Sequence, residues 1–486
     1  MKFAERYDGI VVGAGVAGLT AAVRMAQAGL RVLVMERHNV AGGCASFYQR
    51  GGYRFDVGAT LVGGFGRRGV HSQIFSELGV QLVARRLDPA MVVYLGKQRI
   101  LRYGDARWRA ERIAAFGAEG EAFWRKQERL ADLAWDFSGR MPALPVDASG
   151  LRAFVAALRP AHLGLLPALG KTLASIMPPG RSALRAFVDV QLLITAQCDA
   201  DAADLAYAAT ALDLAREGTY HLDGGVAAIS TALARSLRRL GGSIGYGIEA
   251  ARAIVERGRV RGVEIAGGQF VPARSVVLAV PVQNAAELSA DIRDAFGARI
   301  AALPQRWGAF MAYVGLPAEA VPADTALHHQ VVLDPAAALG EGNSVFISLS
   351  AADESARARN GGRAVTLSTH TDVALWERAE HDGDMERLRA DYVSRLLRAL
   401  ERALPGSAER ALLVESATPL TFARYTGRSR GLVGGLPQTP ALATLGAFSH
   451  HTPVRGLFLC GDTTFPGQST VGATLSGNAA GRAAAG

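Results

Sequence analysis

Cysteine is scarce in this chain. The three present (Cys44, Cys198 and Cys460) are odd in number and far apart, which excludes a disulfide framework and a zinc-type spacing and suits a reducing cytoplasm. No run of about 18 uninterrupted apolar residues occurs, so no helix is expected to span a bilayer. The N-terminus lacks the shape of a signal peptide, because its apolar run, Ile10 to Val12, is too short for an h-region. There is no HExxH, no triad pattern and no paired-carboxylate signature. His328-His329 and His450-His451 lack the flanking acids or helical spacing of a metal site and read as loop residues, so no metal is expected. Nucleic acid is also excluded as a partner, since the arginines are scattered and no recognition helix or aromatic platform accompanies them.

What is present suits a large folded enzyme. The 486 residues are 49% apolar, ample for a sizeable core. The length suggests about three domains, or two with one interrupted. The net charge of +9 is carried by arginine, with two readings: a soluble surface, or attraction to an anionic one.

The most informative stretch is Tyr7 to Arg37. Ile10, Val11 and Val12 form the continuous apolar run of a strand buried on both faces. Gly13, Gly15 and Gly18 follow as G-x-G-x-x-G, and Leu19, Ala22, Val23 and Ala26 make a helical stripe. Gly29 ends that helix, and Val32 to Met35 form a second buried strand closing on Glu36. Gly13 permits a tight turn, Gly15 lets backbone approach a pyrophosphate, and Gly18 lets helix and strand pack closely. Glu36 falls where a carboxylate accepts ribose hydroxyls. Together these predict a dinucleotide site; the competing reading is a glycine-rich turn that binds nothing.

Further along, Gly42-Gly43 and Ser46 look like a second small-residue approach to a long cofactor, and Tyr53 to Val57 alternates like a short strand. Gly58-Ala59-Thr60 ends it with residues too small to obstruct a flat ring. A nicotinamide enzyme has no need of this second loop, whereas a longer dinucleotide such as FAD does. From about Leu87 to Asp213 helical periodicity takes over, with Trp108, Ile113, Phe116, Phe123 and Trp124 suggesting packed helices. Within it, Leu151 to Val190 is apolar and fringed by Arg152, Arg159, Lys171, Arg181 and Arg185, as in a pocket wall, plain core or a membrane-interface segment.

The nucleotide pattern resumes at Leu222-Asp223-Gly224-Gly225, with a helix striped by Ile229, Leu233, Leu237 and Leu240. A strand over Ser243 to Glu249, a hairpin around Arg257-Gly258 and a buried strand over Ser275 to Val280 follow. Gln305 to Leu316, Asn343 to Leu349 and Ala364 to Thr369 predict a substrate-side sheet, and Asp384 to Leu404 an amphipathic helix. At the end, the strand Gly456 to Cys460 leads to Gly461-Asp462 and then a small-residue helix, Ser469 to Ala485. Asp462 is placed to bind ribityl or ribose hydroxyls, and the helix to aim its positive end at a flavin ring edge.

These segments carry a family likeness. GAGVAGLTAA with Glu36-Arg37, GGCASFYQRGGYRFDVGAT, HLDGGVAAISTALARSLRRLGGSI and GLFLCGDTTFPGQSTVGATLSG resemble the FAD-dependent carotenoid desaturases and isomerases of the flavin amine oxidase superfamily. TPLTFARYTGRSRGLVGG, Thr418 to Gly435, adds a weaker match. The chain departs from many such proteins at Ser469, where they have glycine after the glutamine. The resemblance implies FAD held by Gly13, Gly15, Gly18, Glu36, Arg37, Gly43, Ser46, Gly58, Ala59, Gly461 and Asp462. Ala14, Gly42, Thr60, Glu249, Thr470 and Val471 complete the expected cofactor set. It implies an α/β fold: a discontinuous Rossmann-type FAD domain (1–86, 214–300 and 436–486), an inserted α+β substrate region (301–435), and a helical, membrane-facing insertion (87–213). It further implies an apolar polyene substrate and a cytoplasmic, peripherally membrane-associated protein; oligomeric state is left open.

The expected chemistry is desaturation, with hydride passing to flavin N5 and an external acceptor reoxidising the flavin. A hydrocarbon offers few hydrogen-bonding handles, so an apolar tunnel is expected to set specificity. No base is assigned: Asp223, Glu249 and Asp462 read as structural or cofactor-holding, and His221 as packing. Three alternatives stand beside this one. They are cis–trans isomerisation of a polyene, amine oxidation, and a flavin-free prenyl-binding role like that of Rab GDP-dissociation inhibitors. Amine oxidation often uses a lysine-bound water, and the few lysines (Lys2, Lys97, Lys126 and Lys171) lie outside the flavin-like segments.

Overall fold

A computed structural model describes residues 3–67, 69–138, 155–156, 158–180 and 182–486. Two seven-stranded sheets organise them. In the first, Tyr7–Val12 lies between Val32–Glu36 and Phe270–Leu278, all parallel. Ser243–Tyr246 extends it parallel beyond Val32–Glu36, and Leu457–Leu459 runs parallel to the end of Phe270–Leu278. The antiparallel hairpin Ala250–Glu256 with Arg259–Ile265 completes the far edge. Ile10, Val11, Leu33 and Val34 are fully buried because helices and loops cover both faces, which is why these strands read as unbroken apolar runs.

The helix Val16–Gln27 lies on this sheet, and the C-terminal helix Ser469–Ala485 lies against it. A Cβ at Gly477 would stand 2.1 Å from the Ala17 carbonyl oxygen, and one at Gly481 would stand 2.8 Å from that of Ala21. The small-residue composition of the last helix therefore permits backbone contact with the first.

The second sheet runs in the order Leu413–Ala417, Trp307–Leu316, Arg363–Asp372, Ser344–Leu349, His328–Val332, Met91–Leu95, Gln98–Arg102. Its neighbours are antiparallel except His328–Val332 with Met91–Leu95. Period-2 alternation divides its side chains. Phe310, Val314, Ile347 and Leu367 pack with Leu396 and Leu400 of the helix Met385–Ala403. Met311, Tyr313, Phe346 and Ser368 face a large cavity on the other side.

Several expectations need correction. The insertion expected to be helical contributes two strands, Met91–Leu95 and Gln98–Arg102, to the second sheet. Met91 to Leu95 is buried throughout, and a short apolar run of that kind carries no periodicity to separate strand from helix. The aromatic set there lies on one long helix, Arg107–Ser138, broken at Gly117, with Trp108, Phe123 and Trp124 buried and Ile113 exposed. His328 and His329 belong to a buried strand, not a loop. Leu240 lies past the end of its helix and is exposed. Leu413–Ala417 is an edge strand with a half-exposed pattern, and the sequence reading overlooks it.

Candidate functional site

The site grows from the first glycine turn. Gly13 has φ +102°, and a Cβ there would meet the Ala279 carbonyl oxygen at 2.7 Å. Gly15 has no atom within 4 Å of where its Cβ would be, so its backbone is open to a ligand. The second glycine loop docks on the first: the Gly42 N–H donates to the Ala14 carbonyl (2.8 Å), and Gly42 bridges Gly15. Two glycine turns thus form one cradle at the N-terminal end of a helix, suited to a diphosphate. Glu36 is buried at the end of its strand and accepts from the Ala14 N–H (Oε2, 2.8 Å) and the His38 N–H (Oε1, 2.8 Å). Those bonds aim the carboxylate and leave lone pairs for ribose hydroxyls.

The C-terminal elements arrive at the same place. The Ala279 N–H donates to the Val12 carbonyl (2.8 Å) and the Cys460 N–H to that of Leu278 (3.1 Å), so Gly13 and Gly461-Asp462 flank one strand end. Gly461 donates its N–H to Ser476 Oγ (3.1 Å), tying the loop to the last helix.

A single cavity of about 2460 Å³ collects nearly the whole predicted set. Gly13, Gly15, Gly18, Glu36, Arg37 and Glu249 line it, together with Gly42, Gly43, Ser46, Gly58, Ala59 and Thr60 and with Gly461, Asp462, Thr470 and Val471. Ala14 does not line it. Its side chain is fully buried and its peptide groups position Glu36 and Gly42. Ser46 spends its hydroxyl on the Ala41 carbonyl (3.0 Å). Arg37 and Glu249 form a loose exposed pair at 3.7 Å.

Beyond the glycine end the lining changes. Leu61, Leu193, Ile194, Met311 and Phe346 make an apolar wall, joined by Leu158, Leu163, Leu166 and Leu169. Those last four are 43–64% exposed, so the cavity opens through an apolar rim. Of the cationic fringe expected there, Arg152 and Arg181 lie outside the described residues. Arg159 pairs with Asp136 (3.3 Å), and Arg185 pairs with Asp189 and Asp201 (2.7 and 2.6 Å). The tunnel is not purely apolar: Gln197, Gln330 and His370 also line it, with Gln197 Nε2 3.0 Å from His370 Nε2. Burial lowers the His370 pKa to about 4, so the ring is neutral at pH 7.

Sequence reasoning missed two features. His221, read as packing, sits in a buried pair with Glu354 (2.8 Å), and Arg357 pairs with Asp56 (2.9 Å) nearby. Arg428 lines the cavity and pairs with Asp462 at 2.9 Å. Its signal lay in the weaker motif, Thr418 to Gly435, which gave no indication of what the charge meets.

Fold and site together define a dinucleotide-binding oxidoreductase architecture, and residues 11–78 match the NAD(P)-binding Rossmann-like domain family. The structure of cyclohexylamine oxidase from Brevibacterium oxydans aligns over 99% of this chain and 98% of its own, with TM-score 0.63 and 16% identity, a likeness of fold. The chain is 28% identical to the chloroplastic prolycopene isomerase of Arabidopsis thaliana, over 97% of this chain and 81% of that protein. It is 26% identical to the neurosporene-forming phytoene desaturase of Rhodobacter capsulatus, over 94% of this chain and 90% of that protein.

Proposed function

We propose that this chain is an FAD-dependent enzyme acting on a long apolar polyene of the carotenoid class, and that it desaturates that substrate. The observation that carries the reading is the cavity. At about 2460 Å³ it far exceeds the roughly 300–1,000 Å³ that one small ligand occupies, and its two halves differ in chemistry. The glycine cradle with Glu36 suits the adenosine diphosphate end of FAD, and Gly58, Ala59 and Thr60 give the same cavity a small-residue wall that suits a flat ring. The Leu, Met and Phe half suits a hydrocarbon chain, and the whole-length likeness to proteins named for carotenoid chemistry supports that substrate.

FAD bound there supplies the two-electron redox chemistry, with an external acceptor taking the electrons onward. The chain's own residues do the rest. Tyr313 and Met311 present a firm sheet face to the cavity, and Tyr313 is held by donating its hydroxyl to the Val57 carbonyl (2.8 Å). The apolar wall excludes water. The helix Ser469–Ala485 begins in the cavity lining at Ser469, Thr470 and Val471, so its positive end would favour negative charge on a flavin held there.

The likeness to prolycopene isomerases favours a second reading, cis–trans isomerisation without net oxidation. Amine oxidation has less support, because no lysine lines the cavity among the described residues. The exposed rim Leu158 to Leu169 supports substrate entry from a membrane surface, although no described helix is long and apolar enough to cross one.

The test uses FAD-loaded protein with anionic vesicles carrying a partly saturated carotenoid, with and without a quinone acceptor. The expected result is a product two hydrogens lighter, formed only with acceptor, by protein that floats with the vesicles. A shifted isomer of unchanged mass would transfer the assignment to isomerisation, and unaltered pigment would defeat both. A colourless preparation that takes up no FAD would favour the prenyl-binding role.

A further inference from the structure

A dinucleotide diphosphate carries about two negative charges, while a helix N-terminus offers only about half a positive charge. The two glycine turns themselves carry no lysine or arginine among the described residues. Among the arginines lining the cavity, Arg159 and Arg482 are engaged at its outer parts by Asp136 and Glu77. Arg37 is 40% exposed and faces Glu249. Arg428 differs: its side chain is 12% exposed, its Nε donates to the Leu432 carbonyl, and one Nη meets Asp462.

The loop that carries Arg428 is pinned over the nucleotide half. Asn284 Nδ2 donates to the Gly427 carbonyl (3.1 Å), and the Ser429 N–H donates back to Asn284 Oδ1 (3.1 Å). A Cβ at Gly427 would stand 2.3 Å from Arg37 Nη1, so the loop sits directly on the residue that follows Glu36. On the other side, Arg428 and Asp462 lie near enough to the Cys44 thiol, in the second glycine turn, to bias its ionisation in opposite directions. Arg428 therefore reaches the second glycine turn and the C-terminal acid, while its neighbour Gly427 packs on Arg37. A guanidinium has five N–H donors, and these two contacts leave others free. Asp462 alone would repel a diphosphate; paired with Arg428 it does not.

We propose that Arg428 is the cationic ligand of the dinucleotide's diphosphate, brought to the nucleotide sheet by the loop after the helix Pro419–Thr426. The proposal rests on the FAD reading above. The competing role is structural, with Arg428 only orienting Asp462 toward the ribityl chain. ADP separates them, since it has the diphosphate and no ribityl group.

The test is calorimetric titration of flavin-stripped, full-length protein with ADP, riboflavin and FAD. Arg428→Gln is expected to weaken ADP and FAD by about tenfold or more, the scale of a lost charge-assisted contact, and to leave riboflavin within about twofold. Asp462→Asn is expected to weaken riboflavin and FAD and to spare ADP. An unchanged ADP affinity in Arg428→Gln overturns the proposal, whatever happens to FAD. If that variant does not fold, Arg428→Lys decides: it keeps the charge, loses the fork, and is expected to weaken ADP about threefold, with no change overturning the assignment. Wild-type protein that binds FAD but not ADP also overturns it. Failure to bind either ligand defeats the FAD reading itself.

Discussion

Ser469 stands at φ +84°, in left-handed backbone that glycine adopts freely and serine does not. It is the position where the resemblance leads one to expect glycine, and the left-handed backbone gives that expectation a physical reason. Part of the cost is offset because Ser469 Oγ accepts the Gly472 N–H (3.0 Å) at the start of the last helix. The two contributions predict an order. Ser469→Ala keeps the strained φ and loses the bond, so urea denaturation should show it about 1 kcal/mol less stable. Ser469→Gly loses the bond but relieves about 1–2 kcal/mol of strain, so it should equal or exceed the parent. An alanine variant as stable as the parent would remove the capping role. The residue types around Gly13, Glu36 and Asp462 were readable because each has a local backbone or spacing signature. Arg428 was not, because a guanidinium's purpose lies in what faces it.

Among elements, the Leu222–Gly225 turn, which leads into the helix Ala227–Arg239, is joined to the loop after Ser344–Leu349 of the second sheet. Glu354 accepts from His221 Nε2 (2.8 Å), the Gly224 N–H (2.7 Å) and the Ala351 N–H (2.8 Å). Burial pushes its pKa up, but His221, Arg357 and the Gly224 amide outweigh that and bring it down to about 2. A depressed carboxyl contributes stability above its unfolded value, and that stability is lost as pH falls toward 2. Glu354→Gln cannot accept from all three donors and should cost about 2–4 kcal/mol in urea denaturation at pH 7. A loss below about 0.5 kcal/mol would show that the clamp is dispensable. HLDGG was recognisable as a motif, yet nothing in it announced Glu354, which lies on a loop of the second sheet. The strands Met91–Leu95 and His328–Val332 escaped for a related reason: each is short and buried throughout, so neither alternation nor a stripe marks it.

Over the whole molecule, His71, His328, His329 and His370 are held mainly by burial at pKa values of about 4, 3, 4 and 4. Unfolding frees them to bind protons near their ordinary value of about 6.5. Between about pH 6.5 and 4 the unfolded chain therefore holds more protons, so stability falls as pH falls, by about 1.4 kcal/mol per histidine per pH unit. Denaturation midpoints at pH 7, 6 and 5 should decline steadily, before carboxylates titrate. A flat profile over that range would mean the rings are solvated. Apolar runs, glycine spacings and charges next to strands determined the Rossmann-like sheet, its closing helix and most of the cradle, because those signals are local and each is tied to one backbone geometry. The tertiary structure alone decided which distant groups meet: Arg428 with Asp462, His221 with Glu354, and the joining of strands near residue 91 to those near residue 330. Pairing energy depends on separation in space, and chain order carries no record of that separation.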